Sequence, residues 1–391
     1  MCNLLKVTLL GFAGLFLLLS LSMKASMYTD MGAPKIKAGK SKIIGKVISP
    51  NEEHRNNSFV SIYVPHPISG EALQYEADID ELGRFDIEVD METDISLVSI
   101  RTSFKPFSDL FVVVKSGGVM NIDITFNPDL DIEDVRTEPE INRFDMMRSW
   151  EVMREMFDYR GGVPTSLHNK DPVEFLNHAK ASVSKRLEIL DKDSLISKDL
   201  KEVLAKDFRA LMYSGHVFDY DRAMILNFRN TVKDSTLRPA IRKIDRSYFA
   251  FLKDFDLNNP QYLIGSSFSE FQKQILKNEI IGLPEIGESD IPSWLANAKA
   301  ILSDLVGFKD GQYYDILAAN AYGEQLNEEI RPLTEKQKRN IADYWRQGEI
   351  AKILFRKNQK VVELDKFKSS TAVRDVSAVP DDKVIETIDA K

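Results

Sequence analysis

Cysteine is almost absent from this sequence. The 391 residues contain one cysteine, Cys2, which precedes the apolar N-terminal run. A thiolate nucleophile, a disulfide bond, a zinc site with cysteine ligands and a C-x-x-C redox pair all require cysteine. If the first 26 residues are removed, the remaining chain has no thiol, and these four kinds of chemistry are excluded for it. A lipoprotein signal would place its cysteine after the apolar run, so we do not expect lipidation by that route.

The sequence also lacks the positive charge that a nucleic-acid-binding protein needs. Its formal net charge is -8, and no dense stripe of Lys and Arg alternates with aromatic residues. A negatively charged surface repels a polyanion. We therefore do not expect nucleic acid as a partner.

Short motifs that mark common enzyme classes are missing as well. There is no G-x-x-x-x-G-K-[ST], no G-x-G-x-x-G after a strand and no G-x-S-x-G elbow. The five histidines show no metal-ligand spacing; they are His54, His66, His168, His178 and His216. We nominate no catalytic, cofactor-binding or metal-ligating residue, and we expect neither a cofactor nor enzymatic activity from this chain alone.

Carboxylate pairs and helical aromatics leave two alternatives open. The pairs are Asp129 with Asp131, Asp219 with Asp221, and Glu328 with Glu329. A glycosidase needs two carboxylates facing each other across a cleft, which adjacency in sequence does not show, so we favour solvated positions. The aromatics at apolar helical positions are Trp294, Tyr313, Tyr314 and Trp345. They can stack on sugars or pack in a core, and we favour the core.

Residues 1–26 form a segment of a different kind. Lys6 precedes an apolar run from Val7 to Leu21, and small residues follow. About 15 apolar residues suit a secretory signal better than a membrane span. We expect a signal peptide or an uncleaved N-terminal anchor. Either one places the protein in the periplasm or cell envelope, with membrane contact only through an anchor that is retained.

The next region, 41–127, predicts seven short strands with turns between them. Alternation in the last one, at Met120, Ile122, Ile124 and Phe126, puts one face in a core. This pattern is typical of an antiparallel β-sandwich. The segment "DELGRF" at 80–85 predicts a hairpin turn with Gly83 at positive φ, because the spacing does not fit a calcium loop. It resembles a turn of the carboxypeptidase-regulatory-like sandwiches.

Region 137–357 has helical periodicity, and we expect eight or nine helices there. Asp171 before Pro172 and the capping box that starts at Thr334 mark two helix starts. The fold class is therefore α+β, with an N-terminal antiparallel β-sandwich and then a mainly α-helical domain. The polar region 363–391 predicts a linker or loose strand that ends in one amphipathic turn.

That ending carries a resemblance to a known family. The pattern V-x-x-V-P-x-x-K-x-I-x-x-I-x-A-K occupies Val376, Val379, Pro380, Lys383, Ile385, Ile388, Ala390 and Lys391. Together with the order of leader, sandwich and helices, it resembles the N-terminal region of exported TlpA/ResA-like thiol:disulfide oxidoreductases of the thioredoxin family. The resemblance implies a following domain with a W-C-x-x-C site, which these residues do not contain.

We therefore expect this chain to be the noncatalytic N-terminal portion of such a protein, with a positioning or partner-binding role among envelope proteins. The alternative is an autonomous envelope module that binds a protein or a glycan, in which residues 376–391 should pack onto the helices. Its oligomeric state is left open.

The cysteine content yields a first prediction. The chain without residues 1–26 should not accelerate the reduction of insulin disulfides by dithiothreitol, because it carries no thiol that could exchange. The increase in turbidity as reduced insulin precipitates measures the reduction rate, and a thioredoxin is the positive control. Any acceleration above the uncatalysed rate would contradict the prediction.

Overall fold

The computed structural model describes residues 31–49, 58–161, 165–234 and 236–376. Over these ranges, eight strands in two sheets are followed by nine α-helices and two 3₁₀ helices. The α+β class and the order of sandwich before helices are confirmed. The predicted export segment 1–26 and the terminal segment 377–391 lie outside the described residues.

The eight strands form two sheets of four. Their bounds are β1 Ile36–Ile48, β2 Phe59–His66, β3 Glu71–Asp78, β4 Arg84–Thr93, β5 Ile95–Thr102, β6 Leu110–Lys115, β7 Val119–Phe126 and β8 Ile132–Glu138. The first sheet has the order β4-β1-β7-β8 and the second the order β3-β2-β5-β6. The sandwich thus spans 36–138 instead of 41–127.

Two features of the sandwich differ from the prediction. The neighbours β1 and β7 run parallel, whereas every other pair is antiparallel. Parallel neighbours need a crossover, which the strands between them supply. The eighth strand, β8, was missed because it is an edge strand in which only Val135 is buried, so its sequence does not alternate clearly.

The turn at 80–85 has the predicted backbone but a different place in the fold. Gly83 has a φ of 81°, and the Asp80 carboxylate accepts hydrogen bonds from the backbone N–H groups of Leu82 and Arg84 at 2.9 and 2.8 Å. The strands on either side, β3 and β4, belong to different sheets. The turn therefore joins the two layers and is not the end of a paired hairpin.

Strand β5, an inner strand of the second sheet, is buried on both of its faces. On β5, Val98 and Ile100 point into the sandwich core, while Ile95 and Leu97 pack against helical residues that include Phe208. Strands covered on both sides read as continuous apolar runs. The helices therefore cover the outer face of this sheet, and sandwich and helices share one buried interface.

The nine α-helices fill the rest of the chain. Their bounds are α1 Arg143–Asp158, α2 Pro172–Lys192, α3 Lys198–His216, α4 Tyr220–Thr231, α5 Ser267–Lys277, α6 Ile291–Val306, α7 Gln312–Asn327, α8 Glu335–Trp345 and α9 Glu349–Val376. The cap at Asp171 and the capping box at Thr334 are confirmed. Residues 241–255 carry apolar side chains at helical spacing, but only Arg246–Phe255 is helical, and that helix is 3₁₀.

The last helix, α9, corrects the predicted linker. Residues 363–376, expected to be a linker or loose strand, continue this helix of 28 residues. No Gly or Pro occurs between Glu349 and Val376, and half of the residues there are good helix formers, so no strong breaker stops the helix earlier.

A close contact between α7 and the turn after β2 yields the second prediction. A Cβ atom at Gly323 would lie 2.1 Å from the carbonyl oxygen of Ser69, whereas one at Gly215 on α3 would meet nothing within 4 Å. Gly323→Ala should cost about 1–3 kcal/mol of stability because the backbone must move apart. Gly215→Ala, the matched control, should be neutral or stabilise by up to roughly 1 kcal/mol.

Urea unfolding of the two variants measures the difference. Equal midpoints for Gly323→Ala and the unsubstituted chain would contradict the close approach of turn and helix.

Candidate functional site

The histidines are dispersed across the described residues. His66 is buried between sandwich and helices, His168 packs edge-on against Phe228, and His178 and His216 are exposed. His54 lies outside the described ranges. Among the residues that are described, no group of three or more His, Cys, Asp or Glu side chains is placed to hold a metal ion.

The carboxylate pairs have local partners. Asp219 caps α4 by accepting from the Arg222 N–H at 3.0 Å, and Asp131 forms an ion pair with Lys105. Glu328 pairs with Lys273 at 2.6 Å and Glu329 with Arg331 at 2.7 Å. These contacts agree with the preference for solvated, structural carboxylates.

The helical aromatics lie in the core, as favoured from the sequence. Trp294, Tyr313 and Tyr314 are almost fully buried, and the Trp294 Nε1–H donates to the Pro284 carbonyl at 2.8 Å. Trp345 packs its ring against Tyr322 and Tyr344. The rings of Trp294, Tyr313 and Tyr314 are therefore closed to a sugar.

The main polar site of the described chain lies where the turn after β2 enters the helical domain. Asn320 on α7 donates its amide hydrogens to the carbonyls of Pro67 and Ile68 at 2.8 and 2.9 Å, and Asn327 donates to Ser69 at 2.7 Å. Ile68 is fully buried among the helices. The turn is thus held as part of the helical core.

Glu92 on β4 holds the same turn from the other side. Its Oε2 accepts from the N–H groups of Ile68 and Ser69 at 2.7 and 3.0 Å, and its Oε1 lies 3.5 Å from Nδ1 of His66. The His66 Nε2 lies 3.0 Å from the carbonyl oxygen of Asp90, which can only accept, so Nε2 donates. These donors satisfy a carboxylate that would be costly to bury alone.

Helix α9 completes the site with three cations. Arg356 donates to the carbonyls of Gly39 and Met91 at 2.8 and 2.9 Å and lies 3.4 Å from Asp90. Lys360 also pairs with Asp90, and Lys357 pairs with Glu71 at 2.5 Å. We call His66, Glu71, Asp90, Glu92, Arg356, Lys357 and Lys360 the junction cluster. It connects both sheets to α9.

The charges of the junction cluster shift the titration of Asp90. Burial disfavours the ionised carboxylate, but the hydrogen bond from Lys360 and the positive charges of Arg356 and Lys360 outweigh burial and lower the pKa of Asp90. The free space between these side chains is about 10 Å³, roughly the room for one water molecule. The cluster is therefore suited to hold two domains together and has no room for a substrate.

The described residues form open cavities outside the junction cluster, three of them with volumes of about 400 to 510 Å³. One of about 510 Å³ lies between the end of α5 and α7; Glu324, Glu328 and Glu329 line it, and all three are ion-paired. A second, of about 410 Å³, lies between the sandwich and α1. A third, of about 400 Å³, is lined by residues at the start of α4 and the end of α5. We call the second one the aromatic cleft; Phe107, Asp131, Trp150, Glu151 and Arg154 line it, among others.

Sequence reasoning did not find these sites. Trp150 belongs to an apolar stripe at helical spacing within region 137–357, which indicates a helix and not a cleft, and Asn320 and Gly323 lie in no recognised motif. The sequence contained a weak signal for the last two. Asn320, a polar residue, and Gly323, a small one, lie in the otherwise apolar and buried stretch "ILAANAYG" of α7, where each needs a close partner. Their partner, the turn 66–70, is distant in sequence.

No protein-family model matches this sequence, and no curated protein matches it at a significant level. Over the described residues, no helix combines the length and apolarity that crossing a membrane requires.

The junction cluster yields the third prediction. Asp90→Asn should lower the free energy of unfolding by about 2 kcal/mol at neutral pH, less than for a fully buried pair because Lys360 is 43% exposed. The pKa of Asp90 is lower in the folded state than its ordinary value of 3.8. The stability that Asp90 contributes is therefore fully present above pH 3.8 and is lost as the pH falls through the lowered pKa of the folded state.

Urea unfolding between about pH 6 and pH 3 tests this linkage. The difference between Asp90→Asn and the unsubstituted chain should shrink in acid. Asp123→Asn, at an exposed position on β7, is the control and should stay within about 0.5 kcal/mol throughout. A difference that does not depend on pH would contradict the assigned role of Asp90.

Proposed function

We propose that this chain is a noncatalytic positioning part of an exported TlpA/ResA-like protein of the thioredoxin family, acting in the cell envelope. The sandwich and the helical domain form one support, and α9 extends from it. The observation that carries the proposal is the junction cluster, in which three cations of α9 bind carboxylates and carbonyls of both sheets. The proposed lineage draws its support from the sequence resemblance.

The geometry of α9 suits a positioning role. At 1.5 Å per residue, its 28 residues span about 42 Å. Its first turns are fixed through Glu349, which accepts from the Ala38 N–H at 2.6 Å, and through the junction cluster. Further on, Val361 is still buried, whereas Leu364 is 52% exposed. A helix fixed at one end sets the direction of whatever follows it.

The second candidate is an autonomous envelope module that binds a protein or a glycan. The aromatic cleft favours it, because the cleft is open and Phe107 at its edge is 86% exposed. Large apolar side chains that solvent reaches beside a cavity often mark binding sites.

The fourth prediction separates the two candidates. Translation of the genomic frame past the codon for Lys391 should reveal a strand and then W-C-x-x-C within about fifty codons. Absence of that motif in every frame would contradict the thioredoxin lineage.

A deletion variant gives independent evidence. Removing residues 377–391 should leave the thermal midpoint unchanged if α9 only supports a following domain, because no docked contact is lost. A fall in the midpoint would favour the autonomous module, in which that segment packs onto the helices.

A further inference from the structure

The aromatic cleft lies at the end of the sandwich next to α1. The segment before β6, which contains Phe107, forms one wall, the turn before β8 with Asp131 forms a second, and α1 with Trp150 forms the third. Its volume of about 410 Å³ is within the usual range for small-molecule sites. The cleft can therefore take a ligand of a few rings.

Two aromatic side chains give the cleft an apolar surface. The Trp150 ring packs against Phe111, with ring centroids 6.5 Å apart. Phe107 is 86% exposed at the rim. Such rings offer flat faces to the C–H side of a sugar or to another planar group.

The carboxylates that line the cleft have ion-pair partners. Asp131 pairs with Lys105, Glu151 pairs with Arg148 at 2.9 Å, and Asp109 forms a two-bond pair with Arg101 at 2.8 and 3.0 Å. These pairs fix oxygen acceptors at the wall of the cleft. Arg148 also pairs with Glu155 and Asp193, so the Glu151 carboxylate shares one cation with two other carboxylates.

Arg154 differs from the other charged side chains that line the cleft because it has no partner in the described residues. Its guanidinium is exposed and has no hydrogen bond or ion pair with any residue of the described ranges. The cleft thus has one guanidinium that is free of protein partners, a group suited to bind a carboxylate through two hydrogen bonds.

We propose that the aromatic cleft binds a short saccharide that carries a carboxylate. The sugar face stacks on Trp150 and Phe107, the carboxylate binds Arg154, and the hydroxyl groups donate to Asp131 and Glu151. Five charged side chains beside five apolar ones match this mixed chemistry better than they match a lipid. The proposal rests on the cleft alone and does not require the thioredoxin lineage.

Other polymers fit the cleft less well. A nucleic acid would need several free cations along its phosphates, whereas the cleft has one. An extended peptide binds through the free edge of a sheet, but α1 packs along the edge strand β6. The free guanidinium of Arg154 and the mixed polar and apolar lining favour the acidic saccharide.

Isothermal titration calorimetry tests this inference and supplies the fifth prediction. The probes are a galacturonate trisaccharide and a hyaluronan tetrasaccharide, and the neutral control is a galactose trisaccharide. At least one acidic probe should bind, about tenfold more tightly than the neutral sugar, since one charge-assisted pair contributes about that factor.

Two variants locate the binding. Arg154→Gln should remove the preference for the acidic sugar, and Phe107→Ala should weaken both acidic and neutral sugars. Both side chains are exposed, so thermal midpoints should not change. Arg229→Gln, at an exposed position on α4, is the matched control and should change nothing.

Three results would overturn the proposal. They are no binding of either acidic saccharide, binding that survives both Arg154→Gln and Phe107→Ala, and equal binding of a tetraglutamate peptide. The last would assign the cleft to an acidic peptide.

Discussion

The buried carboxylate of Glu92 is the interaction on which the arrangement of the two domains depends. Glu92 is 2% exposed, and it holds the backbone of Ile68 and Ser69 together with the His66 ring. Removing the partners of a buried charge costs about 3–5 kcal/mol, so this geometry tolerates little change. The turn it holds is the one that enters the helical core beside Asn320. One charge therefore fixes how the sandwich and the helices meet.

Helix α9 extends this constraint towards the C-terminal end of the described chain. Arg356 and Lys360 converge on Asp90, two residues from Glu92 on the same strand, so the turn and the helix share one charged centre. This coupling is the physical basis of the proposed positioning role. The aromatic cleft lies beside α1 and is lined by none of the junction cluster. The support and the proposed saccharide site therefore use separate side chains and can be altered separately.

Local signals predicted much of the fold. Alternation located seven strands, and the caps at Asp171 and Thr334 located helix starts, because both depend on neighbours in sequence. The parallel pairing of β1 with β7 was not predicted, since it depends on chain crossings and not on local pattern. The sites were missed for the same reason: the junction cluster joins residues more than 250 positions apart, such as Asp90 and Lys360. The prediction of a linker or loose strand was wrong for residues 363–376, because their polar composition is also that of an exposed helix, and α9 continues through them.

Differential scanning calorimetry of the chain without residues 1–26 tests the central claim, that sandwich and helical domain behave as one body. The account predicts a single transition whose calorimetric enthalpy equals its van't Hoff enthalpy, because the buried junction couples both cores. Two separate transitions, or a calorimetric enthalpy about twice the van't Hoff value, would show that the domains unfold independently and would contradict the account.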